Sequence, residues 1–216
     1  MIIDVCDVRT YPKEFIELVN CGTFTEEEAY QTIKNCSLLS FHYTRLYDNK
    51  KIIKEGLKKF NYSNNTKYVL KIYKKVYRNA GEVKKIKEMV FEYQKYFPDK
   101  EEKLCFVCGA SKKTEEYLKY YSAFGGECIS NAIKQDNNIY NNLIKIGDNY
   151  CVKFLVPVEY IKQTNVGEQI YILIGIMKNN YLMKKGEPYE GYLYGYNISP
   201  KLIQSVDLIS QNIGMF

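Results

Sequence analysis

The alternation of apolar and polar positions divides the chain into a mainly helical first half and a strand-rich second half. Near the start, amphipathic segments at 12–20 and 25–34 predict two helices, and Thr25-Glu26-Glu27-Glu28 predicts a capping box at the start of the second. An apolar run at 38–44 then predicts a strand, and the segment 48–56 predicts a short helix that ends at a glycine. The first 36 residues therefore resemble a helical extension that precedes the body of the domain.

Apolar residues recur at helical spacing over 68–77 and again over 82–96, with the sequence Asn79-Ala80-Gly81 between them. This pattern predicts a helical hairpin, inserted at 66–98 between strands of a sheet. A solvated lysine face over a packed apolar stripe explains the pattern without any ligand. The alternative is a surface for nucleic acid or another acidic partner, formed by Lys71, Lys74, Lys75, Lys84 and Lys85.

Beyond residue 103 the pattern becomes that of a sheet. Strands are predicted at 104–108, 150–156, 170–177, 192–196 and 206–209, helices at 113–121 and 127–134, and a polar loop at 137–142. Helices, one strand, more helices and then several strands predict an α+β fold with a mixed or antiparallel sheet. We treat residues 1–216 as a single domain, with 1–36 as a helical N-terminal extension and 66–98 as the inserted hairpin.

Composition narrows the setting without naming a function. The net charge of +6 allows a phosphate-bearing partner without requiring one. No run of 18 apolar residues is present, and the N-terminus lacks the pattern of a signal peptide, so we expect no membrane association. Seven scattered cysteines, an odd number, fit a reducing cytoplasm better than a disulfide framework.

The cysteines offer two kinds of chemistry. Cys105 and Cys108 have the spacing of half a zinc knuckle, but no second close pair exists and His42 is the only histidine, so we predict no metal site. A cysteine nucleophile paired with His42 is the other possibility, and Cys128 beside Glu127 is its best candidate. Buried, unreactive cysteine explains the same residues without a function.

Two glycines precede that cysteine. Gly125-Gly126 lacks the spacing of a Walker loop or of a dinucleotide fingerprint. The pair predicts either a turn before a helix that begins with Glu127, or a point where the backbone approaches a ligand that Glu127 faces.

The predicted strand at 38–44 ends in the most distinctive polar cluster of the chain. Alternation along a strand places His42 and Thr44 on one face, with Tyr43 and Arg45 on the other. His42 and Thr44 can form hydrogen bonds to a sugar or an amide, and Arg45 suits a phosphate group. A hydrogen-bonded structural histidine is the alternative.

Phe41-His42-Tyr43-Thr44-Arg45, followed by a helix that ends in Glu55-Gly56-Leu57, resembles the opening of the ADP-ribosyltransferase superfamily. The stretch that begins at Tyr189-Glu190 and continues to Ile203 resembles that family's ending. The resemblance implies that NAD is the substrate and that the strand histidine, His42, binds its nicotinamide-side ribose. Thr44 and Arg45 would assist in binding NAD.

The resemblance also implies an aromatic residue that stacks on nicotinamide, for which Tyr120 and Tyr121 are both candidates. It further implies a glutamate that holds a ribose hydroxyl and stabilises the positive charge that develops as the glycosidic bond breaks. Glu190 is the first choice for this role, with Glu187 and Glu127 as rivals.

We therefore expect an NAD-dependent ADP-ribosyltransferase-like enzyme in which His42, Tyr121 and Glu190 are the working residues. Its acceptor would be a protein or a nucleic acid, and the resemblance implies a toxin or phage-defence setting. Two alternatives stay open. One is a non-enzymatic nucleic-acid-binding module that uses the lysine-rich hairpin, and the other is a hydrolase that uses His42 with Cys128 or Glu127.

Overall fold

The computed structural model describes residues 1–98, 103–110, 124–163 and 168–209. The strands are β1 (Ile2–Ile3), β2 (Ser37–Leu46), β3 (Lys103–Cys108), β4 (Asp148–Pro157), β5 (Tyr189–Tyr194) and β6 (Ile203–Leu208). The α-helices in these ranges are α1 (Lys13–Cys21), α2 (Glu26–Ile33), α3 (Lys50–Glu55), α4 (Tyr62–Tyr77), α5 (Ala80–Tyr96), α6 (Gly126–Ile133), α7 (Asn137–Leu143), α8 (Val158–Gln163) and α9 (Gln169–Met183).

All six strands form one sheet. Five of them lie in the order β5-β3-β2-β4-β6, and every neighbouring pair in that row is antiparallel. The short β1 adds to β2 in parallel, which makes the sheet mixed. β2 pairs with β4 along its whole length, from Ser37 opposite Pro157 to Leu46 opposite Asp148. The prediction of an α+β fold with a mixed or antiparallel sheet is confirmed.

Several helices begin at the residues that local chemistry favours. The Thr25 hydroxyl accepts a hydrogen bond from the Glu28 amide, and the Glu28 carboxylate accepts one from the Thr25 amide, which is the capping box expected before α2. Asn61, Asn79 and Asp136 each cap the helix that follows with a side-chain oxygen. These caps supply partners for amides that have none within the helix.

The main core lies on one face of the sheet. Leu38, Phe154 and Val156 point from β2 and β4 into this core and are buried. Helices α1, α2 and α9 cover that face with buried residues such as Phe15 and Leu173. Residues 1–36 contribute β1, α1 and α2 to this packing.

A second core lies among four helices and the loops beside them. The hairpin of α4 and α5 packs with α6 and α7 around buried side chains that include Tyr73, Ile86, Ile129 and Leu143. A polar network closes one part of it, where the Tyr73 hydroxyl donates to the Glu82 carboxylate and the Asn142 amide donates to Tyr73. The predicted hairpin is therefore one half of a four-helix layer, which we call the helical core.

Two local predictions are wrong. Residues 170–177, predicted as a strand, lie in α9, where Ile170, Leu173, Ile174 and Met177 are buried at helical spacing. A short run rich in isoleucine fits either structure, and its periodicity did not decide between them. Residues 137–142, predicted as a loop, form α7, because Asp136 caps the helix and apolar residues at 139 and 143 are buried one turn apart.

The remaining differences are smaller. β5 begins at Tyr189, three residues before the start of the predicted strand at 192–196, and α8 follows β4 in a segment for which no helix was predicted. The helix predicted at 113–121 lies outside the described residues. Within the described ranges, no helix combines the length and apolar content needed to cross a bilayer.

Candidate functional site

The site lies where two neighbouring strands separate. β2 and β3 pair at Ser40 with Cys108 and at Phe41 with Val107. Beyond these two pairs, residues 42–46 of β2 remain paired with β4, and residues 103–106 of β3 remain paired with β5. These parts of β2 and β3 do not pair with each other, so a gap opens between the two strands. Such a gap leaves backbone polar groups that ladder hydrogen bonds would otherwise use, and it forms a cleft in the sheet.

His42 bridges this gap at the first residue past the paired region. Its Nδ1 atom lies 2.9 Å from the carbonyl oxygen of Cys105 on β3. A carbonyl only accepts, so Nδ1 carries the proton and donates. Burial lowers the pKa of His42, an effect that the bond to Cys105 opposes in part. The ring is therefore neutral near pH 7, and its Nε2 atom is the acceptor nitrogen.

The loop after α3 closes one side of the gap. Leu57 pairs with Ile198, and the Phe60 amide donates to the Lys103 carbonyl oxygen at 2.7 Å. Gly56, with φ of +75°, makes this path possible, since a Cβ atom there would lie 1.9 Å from the Ile198 carbonyl oxygen. The loop thereby brings Lys58-Lys59-Phe60 to the strand separation.

A pocket of about 380 Å³ occupies this region, between the separated strands, the loop and the helical core. Its volume lies within the range of small-molecule sites. Five aromatic side chains of the described residues line it: Tyr43, Phe60, Tyr68, Phe124 and Tyr192. Four cationic side chains of the same ranges also line it: Arg45, Lys58, Lys59 and Lys103. Among the described residues of the lining there is no aspartate or glutamate.

Residues from both faces of β2 reach this one pocket. Alternation assigns His42 and Thr44 to the face that carries Ser40 and the main core, and Tyr43 and Arg45 to the other face. Both pairs line the pocket because the strand separation makes the sheet discontinuous at this level. The two pairs that sequence alternation assigned to opposite faces of β2 therefore belong to a single site.

Arg45 has a structural role in this conformation. Its guanidinium donates to the carbonyl oxygens of Ile146 and Gly147 at 2.9 and 3.0 Å, and to the Asn149 side chain at 3.3 Å. Burial lowers the pKa of Arg45 from its usual high value, and the guanidinium remains charged. Arg45 thus holds the turn before β4 and contributes positive charge to the pocket wall.

Lysines lie over tyrosine rings beside the pocket. The Lys103 Nζ atom lies 5.6 Å from the ring centre of Tyr192 and 4.8 Å from that of Tyr194. Lys51, outside the lining, lies 5.6 Å from the ring centre of Tyr68. These cation–π contacts keep positive charge close to aromatic surface at the edge of the pocket.

The helical core contributes the other predicted elements. Gly125 and Gly126 line the pocket at the start of α6, and the nearly buried Cys128 lines it one turn further. Glu127 lies in the first turn of α6, and its side chain is outside the described part of the structure. Tyr120 and Tyr121 also lie outside the described residues.

Neither Glu190 nor Glu187 lines the pocket. Glu190 is exposed on β5 opposite Val107, and it shares a strand face with Tyr192, which does line the pocket. Two residues along a strand place the two side chains roughly 7 Å apart. Glu187 precedes β5, and Asn180 of α9 bonds both its amide and its carbonyl, at 2.8 and 2.7 Å.

Sequence reasoning missed several lining residues. Lys58, Lys59 and Phe60 directly follow the Gly56-Leu57 element, so a basic and aromatic loop after the helix was a readable signal. Lys103 and Tyr192 gave no comparable signal, because their proximity depends on β3 and β5 pairing antiparallel.

The lysines proposed for an acidic partner separate into two groups. On α5, Lys84 lies 3.9 Å from the Glu88 carboxylate, and Lys85 lies 2.5 Å from that of Asp136. On α4, Lys71 and Lys74 are exposed, and the Lys75 Nζ atom lies 5.1 Å from the ring centre of Tyr47. The two α5 lysines are thus partly neutralised by carboxylates, whereas Lys75 of α4 contacts a tyrosine ring.

Metal binding and cysteine reactivity are the other chemistry to consider in the described part of the chain. No group of three histidine, cysteine, aspartate or glutamate side chains is arranged there to hold a metal ion. All seven cysteines are free thiols. Burial raises the pKa of Cys108, whose sulfur lies 3.1 Å from the Ser40 hydroxyl, and that of Cys151, to about 11.

Compared with known proteins, the chain matches no family model, no curated protein and no solved structure. Function is therefore inferred from the geometry of the pocket.

Proposed function

We propose that this protein is an ADP-ribosyltransferase-like enzyme that binds NAD in the pocket at the strand separation. The observation that carries the proposal is the composition of the pocket, where His42 and Thr44 meet four cations and five aromatic rings. A dinucleotide presents hydroxyl groups, negative phosphates and flat rings, and this lining offers a complementary partner for each of them. The free thiols are compatible with a reducing cytoplasm as the place of action.

The residues present fit the chemical groups of NAD. Lys58, Lys59 and Lys103 are the lysines of the lining that would contact the two phosphates, and the backbone amides at the start of α6 add further donors. The neutral His42 ring, with Nδ1 donating to Cys105, presents Nε2 as an acceptor for a ribose hydroxyl. Thr44 supplies a second hydroxyl partner on the same strand face.

In the proposed reaction, the bond between nicotinamide nitrogen and ribose carbon breaks, and its electron pair stays on the nitrogen. A nucleophilic atom of the acceptor forms a new bond to that ribose carbon and releases its proton. His42 and Thr44 hold the ribose, which exposes the bond that breaks. A carboxylate beside the ribose stabilises the positive charge that develops there.

Glu190 is our first choice for that carboxylate. Support comes from β5, where alternation assigns Glu190 and Tyr192 to the same face and Tyr192 lines the pocket. Glu187 is less suitable, because it precedes β5 and does not share a strand face with Tyr192. Tyr121, with Tyr120 as the alternative, remains the proposed partner of the nicotinamide ring.

The experiment is calorimetric titration of NAD into wild type, His42→Ala, Glu190→Gln and a Lys58→Gln/Lys59→Gln double variant. We expect His42→Ala and the double variant to weaken binding at least tenfold, because each removes partners of a bound group. Glu190→Gln should bind NAD almost normally but lose at least a hundredfold in the rate of nicotinamide release. Lys178→Gln is the control for loss of a lysine away from the pocket, since Lys178 lies over Phe24 on the main-core side.

Wild type that shows neither heat of binding nor thermal stabilisation at millimolar NAD would contradict the proposal. Normal turnover in Glu190→Gln would exclude Glu190 as the catalytic carboxylate but leave NAD binding in place. The same assay on Glu127→Gln and Glu187→Gln would then show whether either of these residues has that role.

A hydrolase is the second candidate, because His42 and Cys128 line the same pocket. In that case Cys128 would be the nucleophile and His42 its base. Cys128→Ser would abolish activity on a generic ester substrate, and NAD would have no effect. A Cys128→Ser variant with normal NAD turnover would exclude this candidate.

A further inference from the structure

A strip of lysine and tyrosine side chains extends from the pocket along α4. Tyr68, Lys71 and Lys75 lie at i, i+3 and i+7, which places them on one face of the helix over roughly 10 Å. Tyr47, from the connection between β2 and α3, and Lys51, from the first turn of α3, lie opposite this face. We call these five residues the Lys–Tyr strip.

The strip is held together by two crossed cation–π contacts. Lys75 of α4 lies 5.1 Å from the ring centre of Tyr47, and Lys51 lies 5.6 Å from that of Tyr68. Tyr68 also lines the pocket, as does Leu46, the residue before Tyr47. The strip therefore begins at the pocket and leads outward from it.

The rings of the strip remain accessible. Tyr47 is 40% exposed, and Tyr68 is partly exposed. Burial raises the pKa of Tyr68, and the nearby carboxylate of Asp48 adds to that rise. Asp48 lies near this ring, and its Oδ1 atom accepts a hydrogen bond from the Lys50 amide. The three lysines of the strip outnumber that carboxylate, so the strip keeps net positive charge.

The strip differs from an ordinary solvated helix face. On α5, the exposed lysines Lys84 and Lys85 are matched with carboxylates, as is usual for such a face. The α4 lysine Lys75 and the α3 lysine Lys51 lie over tyrosine rings instead. Alternating cations and exposed rings along a track are the features that recognise a chain of phosphates and unpaired bases.

We propose that the Lys–Tyr strip binds single-stranded nucleic acid, with bases stacked on Tyr47 and Tyr68 and phosphates paired with Lys51, Lys71 and Lys75. When a lysine moves from a tyrosine ring to a phosphate, it exposes that ring to a base. In each cation–π pair, the lysine then contacts a phosphate and the tyrosine contacts a base. Duplex binds less well, because its bases are already stacked on each other and their faces are covered. This site goes beyond the proposed NAD pocket and does not require it.

The direction of the strip has a consequence for the acceptor. A strand bound along it would bring an unpaired base to Tyr68, at the edge of the pocket. If NAD binds there as proposed above, that base is the acceptor, and this one statement rests on the proposed function.

The test is fluorescence anisotropy with fluorescein-labelled twelve-nucleotide oligo-dT and oligo-rU, and with a mixed-sequence duplex of the same length. Tyr47→Leu and Tyr68→Leu should each weaken single-strand binding about five- to hundredfold, the range of one lost stacking platform. Lys71→Gln/Lys75→Gln should weaken it and reduce the slope of log affinity against log salt by about 1.4, or 0.7 per phosphate contact. The two oligonucleotides distinguish DNA from RNA.

The matched control is Tyr30→Leu/Lys162→Gln. It removes a lysine–tyrosine pair of similar geometry, 4.9 Å from Nζ to ring centre, on the main-core side of the sheet. The control should change oligonucleotide affinity less than twofold. Thermal unfolding of each variant checks that it is folded, and exposed Tyr47 is the safest of the tyrosine positions.

Loss of affinity equal to that of the control, or duplex binding as tight as single-strand binding, would overturn the proposal. So would the absence of binding at 50 mM salt. NAD titration tests the proposed function independently of this site. His42→Ala should lose NAD binding and keep oligonucleotide binding, while Tyr47→Leu should keep NAD binding and lose oligonucleotide affinity.

Discussion

At the scale of single residues, His42 is the group on which the site depends. It is the only histidine in the chain, and its Nδ1 atom connects β2 to the Cys105 carbonyl across the gap between strands. This bond determines which ring nitrogen carries the proton. The same contact would hold a purely structural histidine, so the composition of the pocket, rather than the bond, is what favours a ligand-binding role.

The lowered pKa of His42 predicts how stability depends on pH. Unfolded His42 gains a proton near pH 6.5, while the folded ring does so only at lower pH. The unfolded state then binds more protons, so the free energy of unfolding should fall as pH drops below 6.5. Urea denaturation at pH 7.5 and 5.5 measures this, with His42→Gln as the reference that lacks the group. An equal pH dependence in both proteins would contradict the prediction.

At the scale of elements, the loop after α3 matters more than its length suggests. It contributes the Leu57–Ile198 bridge, the Phe60–Lys103 hydrogen bond and two pocket lysines. These contacts depend on Gly56, where the chain turns with positive φ against the Ile198 carbonyl. A sequence element that looked like a simple helix end thus shapes one wall of the site.

We predict that Gly56→Ala lowers the free energy of unfolding by at least about 2 kcal/mol, from backbone strain and the clash with Ile198. NAD and oligonucleotide binding should weaken with it. Gly22→Ala is the control, because Gly22 also has positive φ (+80°) but its Cβ would meet no atom within 4 Å. Its cost should be about 1 kcal/mol. Chemical denaturation measures both, and equal costs would show that the Ile198 contact is unimportant.

At the scale of the whole molecule, the protein consists of a sheet with its main core on one face and a separate helical core. The described members of the helical core come from α4 to α7 and from the loops beside them, and none comes from the sheet. The pocket lies between the two, with Tyr192 and Lys103 from the sheet and Val69 and Phe124 from the helical side. Its shape therefore depends on how these two cores are held together.

We predict that the two cores can loosen separately. Ile86→Ala in the helical core should cost about 2–5 kcal/mol, as large-to-small changes at buried positions do. Hydrogen exchange should then rise mainly in α4–α7. Ile33→Ala, an equally buried site in the main core, should instead raise exchange in α1, α2 and β2. A uniform rise in both variants would indicate a single cooperative unit.

The fold class, the capping box at Thr25 and the helical hairpin could be predicted from the sequence, because each depends on local periodicity or on neighbouring residues. The helix α9 could not, because a buried helix that is apolar on most sides has the same composition as a buried strand. His42, Thr44, Arg45 and the Cys128 region were identified as candidates, and the structure brings them to one pocket. Glu190, the proposed carboxylate, lies on β5 outside the pocket lining.

By itself, the sequence determined the fold class, most of the helices and strands, and which polar residues occupy the end of β2, since these depend on interactions between residues close along the chain. Only the tertiary structure decided that β2 and β3 separate after two pairs, that Lys103 and Tyr192 line one pocket with the loop after α3, and that Lys75 of α4 lies over Tyr47. These contacts join residues far apart in sequence, and strand pairing and core packing, which no local pattern encodes, bring them together.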